Sequence, residues 1–221
     1  MFSQSLLRFL HQVHSALWRW RHLVEQRYPK LQSMTIELTS SCNLACPHCC
    51  MDAARAGAGH EISREALVQF MGKVKKTFGT GVFLTLTGGE PLMHSQALEV
   101  LADLKAQGFV LGLITNGALI TERNISALSA ALSSVSVSVD GLAAAHDLRR
   151  GAGSFDRAMH ALQLLSAARI PQLMVNSAVH EGNLPKQFLS GTARSVRENY
   201  EGRKTGPTEL RWSLTAATGL K

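Results

Sequence analysis

Short apolar runs rich in β-branched residues alternate with longer runs of helical periodicity over most of the chain. The short runs predict strands and the longer runs predict connecting helices, which is typical of strand–helix units around a parallel sheet. A sixth strand is predicted from a weaker pattern at Glu209 to Leu214. The five clearer strands are Thr35 to Thr39, Val82 to Thr87, Val110 to Thr115, Val135 to Val139 and Leu173 to Val179. We therefore expect an α/β fold.

Four helices are predicted between these strands, and three of them have a candidate N-cap. Short polar side chains favour this position because they accept a hydrogen bond from the first helical turn. The predicted caps are Ser63, Thr121 and Ser154. The predicted helices run from Ser63 to Phe78, Ser95 to Gln107, Glu122 to Leu132 and Phe155 to Ala168.

The first segment, from Gln4 to Arg27, predicts a separate amphipathic helix with arginines and histidines around an apolar stripe. We expect this helix to pack across the domain as an N-terminal layer, although Trp18 and Trp20 also suit a membrane surface or a partner. The residues at helical spacing are Leu6, Leu10, Val13, Leu17 and Val24.

The chain has 221 residues, of which 45% are hydrophobic, so it can bury one substantial core. No apolar run reaches the roughly 20 residues that span a bilayer, and the start lacks the apolar stretch and cleavage site of a secretory signal. We therefore expect one domain with flanking segments in the cytoplasm.

The net charge of +7 comes from the two ends of the chain. Residues 1–33 carry five Lys/Arg and one acid, and residues 184–221 carry seven and three, which leaves eleven and twelve between them. The flanks lack the repeated aromatic and basic pattern of a nucleic-acid surface. This distribution argues against nucleic acid as a partner, and an RNA-modifying protein remains only a third alternative.

Polar and reactive residues follow the predicted strands. The active sites of parallel α/β proteins form at the carboxyl ends of the strands, so we expect these segments to converge on one site. They are Cys42 to Cys50, Gly88 to Pro91, Asn116-Gly117 and Asp140-Gly141, while Asn176 lies within the fifth strand.

All four cysteines lie within nine positions, which argues for metal binding in a reducing compartment and against a disulfide framework. Cys42, Cys46 and Cys49 supply three soft thiolates from one loop, as iron–sulfur ligation requires. Three ligands leave one iron of a cubane open to a small molecule. The alternative is a structural zinc site, which would have to recruit Cys50, His48 or a distant residue.

The segment Gly88-Gly89-Glu90-Pro91 follows the second strand. Its glycines let the backbone approach a ligand, and Pro91 disfavours helical geometry at Glu90. Backbone carbonyls and the Glu90 carboxylate are suited to an ammonium group. The alternative is an ordinary strand-to-helix turn, but the expected position beside the cysteine loop favours binding.

These two motifs, in this order and on these elements, resemble those of the radical S-adenosylmethionine (SAM) superfamily. The resemblance implies a parallel partial (β/α) barrel of five to six strand–helix units. It also implies that Cys42, Cys46 and Cys49 are catalytic residues that hold a 4Fe–4S cluster. SAM would chelate the fourth iron through its amino and carboxylate groups and contact the segment Gly88 to Pro91.

Further motifs resemble the peptide-modifying and cofactor-maturing branch, whose members often add a cysteine-rich SPASM or twitch domain. They are Ile114 to Gly117, Ser136 to Gly141, His146-Asp147, Arg150-Gly151, Ser154-Phe155, Val175-Asn176 and Asn183. Ser138 and Arg150 are placed like groups that hold the SAM carboxylate and ribose, and Asn116, Asp140 and Asn176 are further cofactor-binding candidates. The alternative is that Asn-Gly and Asp-Gly are ordinary turn formers, that His146 is a surface residue and that the two arginines are solvated.

The resemblance divides the chain into an N-terminal helix (1–33), a radical SAM core (34–183) and a divergent basic tail (184–221). Cys50 stands where the family often has an aromatic residue, and we interpret it as a spare thiol. The tail has no cysteine to ligate an auxiliary cluster. It is predicted to be a last incomplete strand–helix unit, a tether or the mark of a truncated product.

The resemblance implies reductive cleavage of SAM to a 5′-deoxyadenosyl radical that abstracts hydrogen from a peptide or cofactor-precursor substrate. It further implies an external one-electron donor of the flavodoxin or ferredoxin type. The partner substrate would be a peptide, a protein or a small molecule. The alternative is a truncated, non-catalytic radical SAM-like or zinc-binding protein that acts as a partner subunit.

Overall fold

A computed structural model of the chain describes residues 4–27, 30–49, 51, 59–179 and 210–216. The chain divides into two compact units, Met1–Gln32 and Ser33–Lys221. The first contains helix α1 (Gln4–Arg27), with the bounds that its periodicity predicts. None of the described helices has the length and apolarity needed to cross a membrane. The packing of α1 across the domain stays a prediction.

The second unit alternates strands and helices, as the sequence predicts. Its strands are β1 (Ser33–Thr39), β2 (Phe83–Gly88), β3 (Val110–Thr115), β4 (Leu132–Ser138), β5 (Gln172–Val179) and β6 (Leu210–Ala216). Its helices are α2 (Arg64–Phe78), α3 (Ala97–Ala106), α4 (Ile125–Ala131), α5 (Ala143–Arg150) and α6 (Ser154–Ala167), and a 3₁₀ turn, Pro91–Met93, precedes α3.

The six described strands form one sheet in the order β1-β2-β3-β4-β5-β6, and each adjacent pair is parallel. This arrangement confirms the predicted α/β fold. Strand β6 lies in the segment expected to be a divergent tail and overlaps the predicted sixth strand. Residues 184–209 and 217–221 of that segment, together with Cys50 and Asn183, lie outside the described residues.

The two faces of the sheet differ in composition. One face carries the buried leucines and valines of β2 to β5, and it packs against helices, since Gly117 after β3 lies close to both Val137 of β4 and Ala158 of α6. The other face is mixed, with both Ser134 of β4 and the ring of Phe83 of β2 beside Gly112 of β3. The alternation of side chains along a strand produces this division.

The structure corrects two predicted helix caps and confirms one. Ser63 caps α2, because its Oγ accepts a hydrogen bond from the Ala66 backbone N at 3.1 Å. Thr121 does not cap α4, because the Thr121 backbone N donates to Asn124 Oδ1 at 2.9 Å and the helix begins only at Ile125. The predicted helix from Glu122 was therefore too long at its start.

The third predicted cap, Ser154, is the first residue of α6 and not its N-cap. The cap position belongs to Gly153, whose φ is 69°. Asp147 of α5 supplies the missing acceptor, because its carboxylate accepts from the Gly153 backbone N at 2.7 Å and from the Phe155 backbone N at 2.8 Å. Helix α5, which the sequence analysis did not predict, therefore organises the start of α6.

Candidate cofactor site at the carboxyl ends of the strands

A cavity of about 250 Å³ opens at the carboxyl ends of β2, β3 and β4, beside the loop that follows β1. The predicted convergence of separate segments therefore occurs. Eight predicted site residues line the cavity, namely Cys42, Cys46, Cys49, Gly88, Gly89, Asn116, Ser138 and Arg150. His48 and Thr115 also line it. The sequence analysis considered His48 only as a zinc ligand and gave Thr115 no role.

The cysteine loop is held against the rim of the sheet by backbone and side-chain hydrogen bonds. The Gly89 backbone N donates to Thr39 O at 2.8 Å, and the Glu90 backbone N donates to Ser41 O at 2.8 Å. On the far side, the Asn116 Nδ2 donates to Asn43 Oδ1 at 2.7 Å. The ends of β2 and β3 thus fix the position at which the cysteine loop leaves β1.

Gly88 and Gly89 are required by a close approach of two backbones. A Cβ at Gly88 would lie 2.3 Å from Thr39 O, and Gly88 has a φ of +139°. A Cβ at Gly89 would lie 2.2 Å from Ser41 O. Both distances are far below contact, so only glycine lets the end of β2 pack on the start of the cysteine loop.

Glu90 is fully buried beneath the rim and does not line the cavity. Its carboxylate accepts from the Thr115 Oγ1 at 2.8 Å, the Asn116 backbone N at 2.8 Å and the Leu92 backbone N at 3.3 Å. The expectation that this carboxylate receives an ammonium group stays a prediction. It is occupied by protein donors, and it holds the ends of β2 and β3 together.

Burial raises the pKa of Glu90, although its three hydrogen bonds and the charge of Arg150 act in the opposite direction. Pro91 is buried and begins the 3₁₀ turn, outside the cavity lining. Asn176 is likewise absent from the lining, and its backbone O accepts from the Val139 N at 2.9 Å. These residues support the rim on which the cavity is built.

Asp140 is fully buried behind the cavity, where it pairs with two basic side chains. Its Oδ2 lies 3.0 Å from His48 Nε2 and 2.6 Å from Arg150 Nε. Burial opposes its ionisation, but the hydrogen bond from His48, the charge of Arg150 and the hydrogen bonds from Arg150 and the Ala178 backbone outweigh this, so the pKa of Asp140 lies well below its usual range. Asp140 is therefore predicted to position Arg150, which reaches the cavity.

The three thiols of the loop are partly buried, and none forms a disulfide. Burial raises the pKa of Cys42 and of Cys46, and the charge of Arg150 partly offsets the effect at Cys46. A bound metal reverses this balance because it deprotonates a coordinating thiol. The loop thus places soft ligands in an environment that favours the metal-bound thiolate over the free thiolate.

A cubane cluster fits this arrangement of donors. Among the described side chains, no three His, Cys, Asp or Glu residues gather tightly around one point as the ligands of a single ion do. A cubane has a different requirement, because each thiolate binds a different iron. Three cysteines that line one cavity together with Gly88 and Gly89 supply that set and leave one iron for another ligand.

The fold and the cavity together define a parallel α/β protein with a cysteine-lined site at the strand ends. Residues 36–189 match the family model described as the radical SAM superfamily. The chain therefore belongs to the radical SAM superfamily. This membership confirms the 4Fe–4S cluster and SAM as the cofactors of its family.

Two relatives illustrate the range of proteins that the chain resembles. It is 31% identical over 179 residues to the AdoMet-dependent heme synthase of Oleidesulfovibrio alaskensis, covering 78% of this chain and 45% of that protein. It is also 31% identical over 182 residues to the mycofactocin maturase MftC of Mycobacterium tuberculosis, covering 78% and 46%. The chain spans less than half the length of these relatives.

The solved structure of Streptococcus suis SuiB bound to S-adenosylmethionine has a similar fold. The TM-score is 0.71 at 14% sequence identity, over 99% of this chain and 48% of that chain. At this identity the likeness concerns the fold alone, and it confirms the predicted partial (β/α) barrel.

Proposed function

We propose that this chain is the catalytic core of a radical SAM enzyme, in which Cys42, Cys46 and Cys49 hold the 4Fe–4S cluster. One observation carries the proposal. The three cysteines share a single cavity with the backbone of Gly88 and Gly89. A structural metal site would not require the glycine motif beside the cysteine motif. A cofactor that binds at an open iron requires contacts from both.

The remaining polar residues of the cavity are suited to orient SAM. Gly88 and Gly89 line the cavity, where their backbone would contact the ligand. Arg150 is held by Asp140 with its guanidinium at the cavity, where it would bind a carboxylate or ribose hydroxyls. Asn116 and Ser138 add neutral hydrogen-bonding groups on the same wall.

When bound and reduced, the cluster and SAM supply a 5′-deoxyadenosyl radical by one-electron cleavage of a C–S bond, with methionine as the other product. The chain's own residues bind and orient SAM, and they shield the site from water. An external one-electron donor of the flavodoxin or ferredoxin type would reduce the cluster. We assign residues 34–183 to this core, with 184–221 contributing β6.

We propose a peptide or a cofactor precursor as the substrate that loses hydrogen. Support comes from two kinds of relative, a mycofactocin maturase and a heme synthase.

The test is anaerobic reconstitution with iron and sulfide, then reduction with dithionite in the presence of SAM and chromatography for 5′-deoxyadenosine. We expect product from the wild type and none from Cys42→Ala, Cys46→Ala or Cys49→Ala, since each removes one of three required ligands. Cys50→Ser is the matched control. It removes the neighbouring thiol and should keep both the cluster and product formation.

Undiminished 5′-deoxyadenosine formation in all three alanine variants would overturn the ligand assignment. One zinc per chain and no cluster after reconstitution would instead favour a metal-binding partner protein. An intact cluster with no product from the wild type would favour a non-catalytic radical SAM protein.

A further inference from the structure

One carboxylate, that of Asp140, joins three segments around the cavity. Its Oδ2 accepts from His48 Nε2 of the cysteine loop at 3.0 Å and from Arg150 Nε of α5 at 2.6 Å. Its Oδ1 accepts from the Ala178 backbone N of β5 at 2.9 Å. The cysteine loop is thereby tied to two elements that follow β4.

The direction of the hydrogen bond at His48 follows from the charge of its partner. Asp140 remains a carboxylate because its pKa lies well below the usual range, and a carboxylate only accepts. His48 Nε2 therefore donates. The His48 side chain is only 7% exposed, so this hydrogen bond is shielded from water and is stronger than the same bond at the surface.

The position of His48 in the cysteine loop determines which residues this hydrogen bond holds in place. The Cys49 backbone N donates to Cys46 O at 3.1 Å, which closes a tight turn with His48 inside it. Two of the three candidate cluster ligands lie at the ends of this turn. An anchor on the enclosed side chain fixes the position of the whole turn relative to the sheet.

We propose that His48 is a positioning residue, whose hydrogen bond to Asp140 anchors the turn that carries Cys46 and Cys49. The same carboxylate aligns Arg150, so the positions of the cluster ligands and of the arginine at the cavity both depend on Asp140. This inference rests on the proposed function, because the position of the turn affects activity only if Cys46 and Cys49 bind the cluster. The anchor itself exists without a cluster and is measurable without turnover.

The test compares two replacements of His48 in the full chain carrying Cys50→Ser, which limits the reactive thiols to three. His48→Phe keeps a ring and removes the donor, whereas His48→Gln keeps an N–H at similar reach. A hydrogen bond to a charged group is worth enough to change an opening equilibrium by about tenfold. We therefore expect about tenfold faster labelling of Cys46 and Cys49 by a thiol reagent in His48→Phe, and near wild-type labelling in His48→Gln.

The second readout is the rate at which the reconstituted protein loses iron to a ferrous chelator under anaerobic conditions. Iron loss should be faster in His48→Phe and restored in His48→Gln. A double-mutant cycle with Asp140→Asn should be non-additive, since both changes remove the same interaction. His160→Phe is the control, because His160 pairs with Glu122 at 3.1 Å on the exposed surface and should change neither rate.

Three results would overturn the inference. The first is equal thiol labelling in His48→Phe and wild type, the second is a His48→Gln variant as impaired as His48→Phe, and the third is additivity with Asp140→Asn. Should His48→Phe fail to fold, His48→Asn replaces it, since its shorter amide does not reach the Nε2 position. Thiol labelling needs neither iron nor SAM, so its outcome is independent of whether the protein cleaves SAM.

Discussion

Two adjacent glycines set how closely β2 and the cysteine loop approach each other. At Gly88 and Gly89 the space for a Cβ is already filled by the backbone oxygens of Thr39 and Ser41. The Glu90 backbone N then donates to Ser41 O, so the same contact supplies a hydrogen bond. Sterics and hydrogen bonding at these residues therefore fix the start of the loop that carries Cys42.

Gly89→Ala should destabilise the protein and displace the cysteine loop. The new Cβ would lie 2.2 Å from Ser41 O, and backbone atoms must move to relieve the clash. We expect a loss on the order of 3 kcal/mol in unfolding free energy, measured by chemical denaturation, together with reduced iron incorporation. Gly72→Ala in α2 is the control, because no atom lies within 4 Å of its Cβ position, and it should gain up to about 1 kcal/mol.

At this scale the sequence predicted residue types better than their orientations. The spacing of the three cysteines and the pair of glycines could be interpreted from local chemistry alone, and all five of these residues line the cavity. Glu90 was expected to face a ligand, but Thr115 and Asn116 at the end of β3 provide the donors that turn it inward. That contact joins residues 25 and 26 positions apart, which no local pattern reveals.

Helix α5 connects the site to the following helix through two adjacent side chains. His146 Nδ1 accepts from the Asp140 backbone N at 3.1 Å, and the Asp147 carboxylate accepts from the start of α6. Both residues belong to a motif that the sequence shows, but the helix itself was not predicted. It has only eight residues, and its first three are alanines, so no apolar stripe marks it.

His146 should make stability depend on pH below neutrality. Burial and the charge of Arg150 lower the pKa of His146 to about 4, against 6.5 for the free side chain. Between these values the unfolded chain binds a proton that the folded protein does not, so stability falls as the pH falls. By pH 5 this single group should remove about 2 kcal/mol of unfolding free energy.

The measurement is chemical denaturation of wild type, His146→Asn and His160→Asn at pH 7 and pH 5. The asparagine side chain in His146→Asn keeps an acceptor near the position of Nδ1 and does not titrate, so this variant should lose about 2 kcal/mol less than wild type over the interval. His160 is exposed, and its replacement should leave the wild-type loss unchanged. Equal losses in all three proteins would contradict a buried neutral His146.

The order of strands explains why the site could be located from the sequence. Each strand pairs with the next strand along the chain, so the segments that follow β1 to β4 lie side by side at one end of the sheet. Strand–helix alternation and the parallel rule were sufficient to predict this convergence. The burial of each side chain was not predictable, because it depends on contacts between distant parts of the sequence, such as that of His48 with Asp140.

Hydrogen exchange should separate the two units of the molecule. Strands β3 and β4 have hydrogen-bonded neighbours on both sides and bury Leu111, Leu113, Val135 and Val137, so their amides should exchange only through global unfolding. Helix α1 exposes large side chains, with Leu17 at 60% and Trp20 at 66%, so little burial opposes its opening.

Peptide-resolved exchange of the full chain, followed by mass spectrometry, tests this difference. We expect α1 to exchange at least about tenfold faster than β3 and β4, since local opening of a helix whose large apolar side chains are mostly exposed costs less than global unfolding. Equal protection would show that the apolar stripe of α1 is covered in solution. In that case Leu17→Asn should accelerate exchange in α1, which would identify the covered face, and the same variant should leave β3 unchanged.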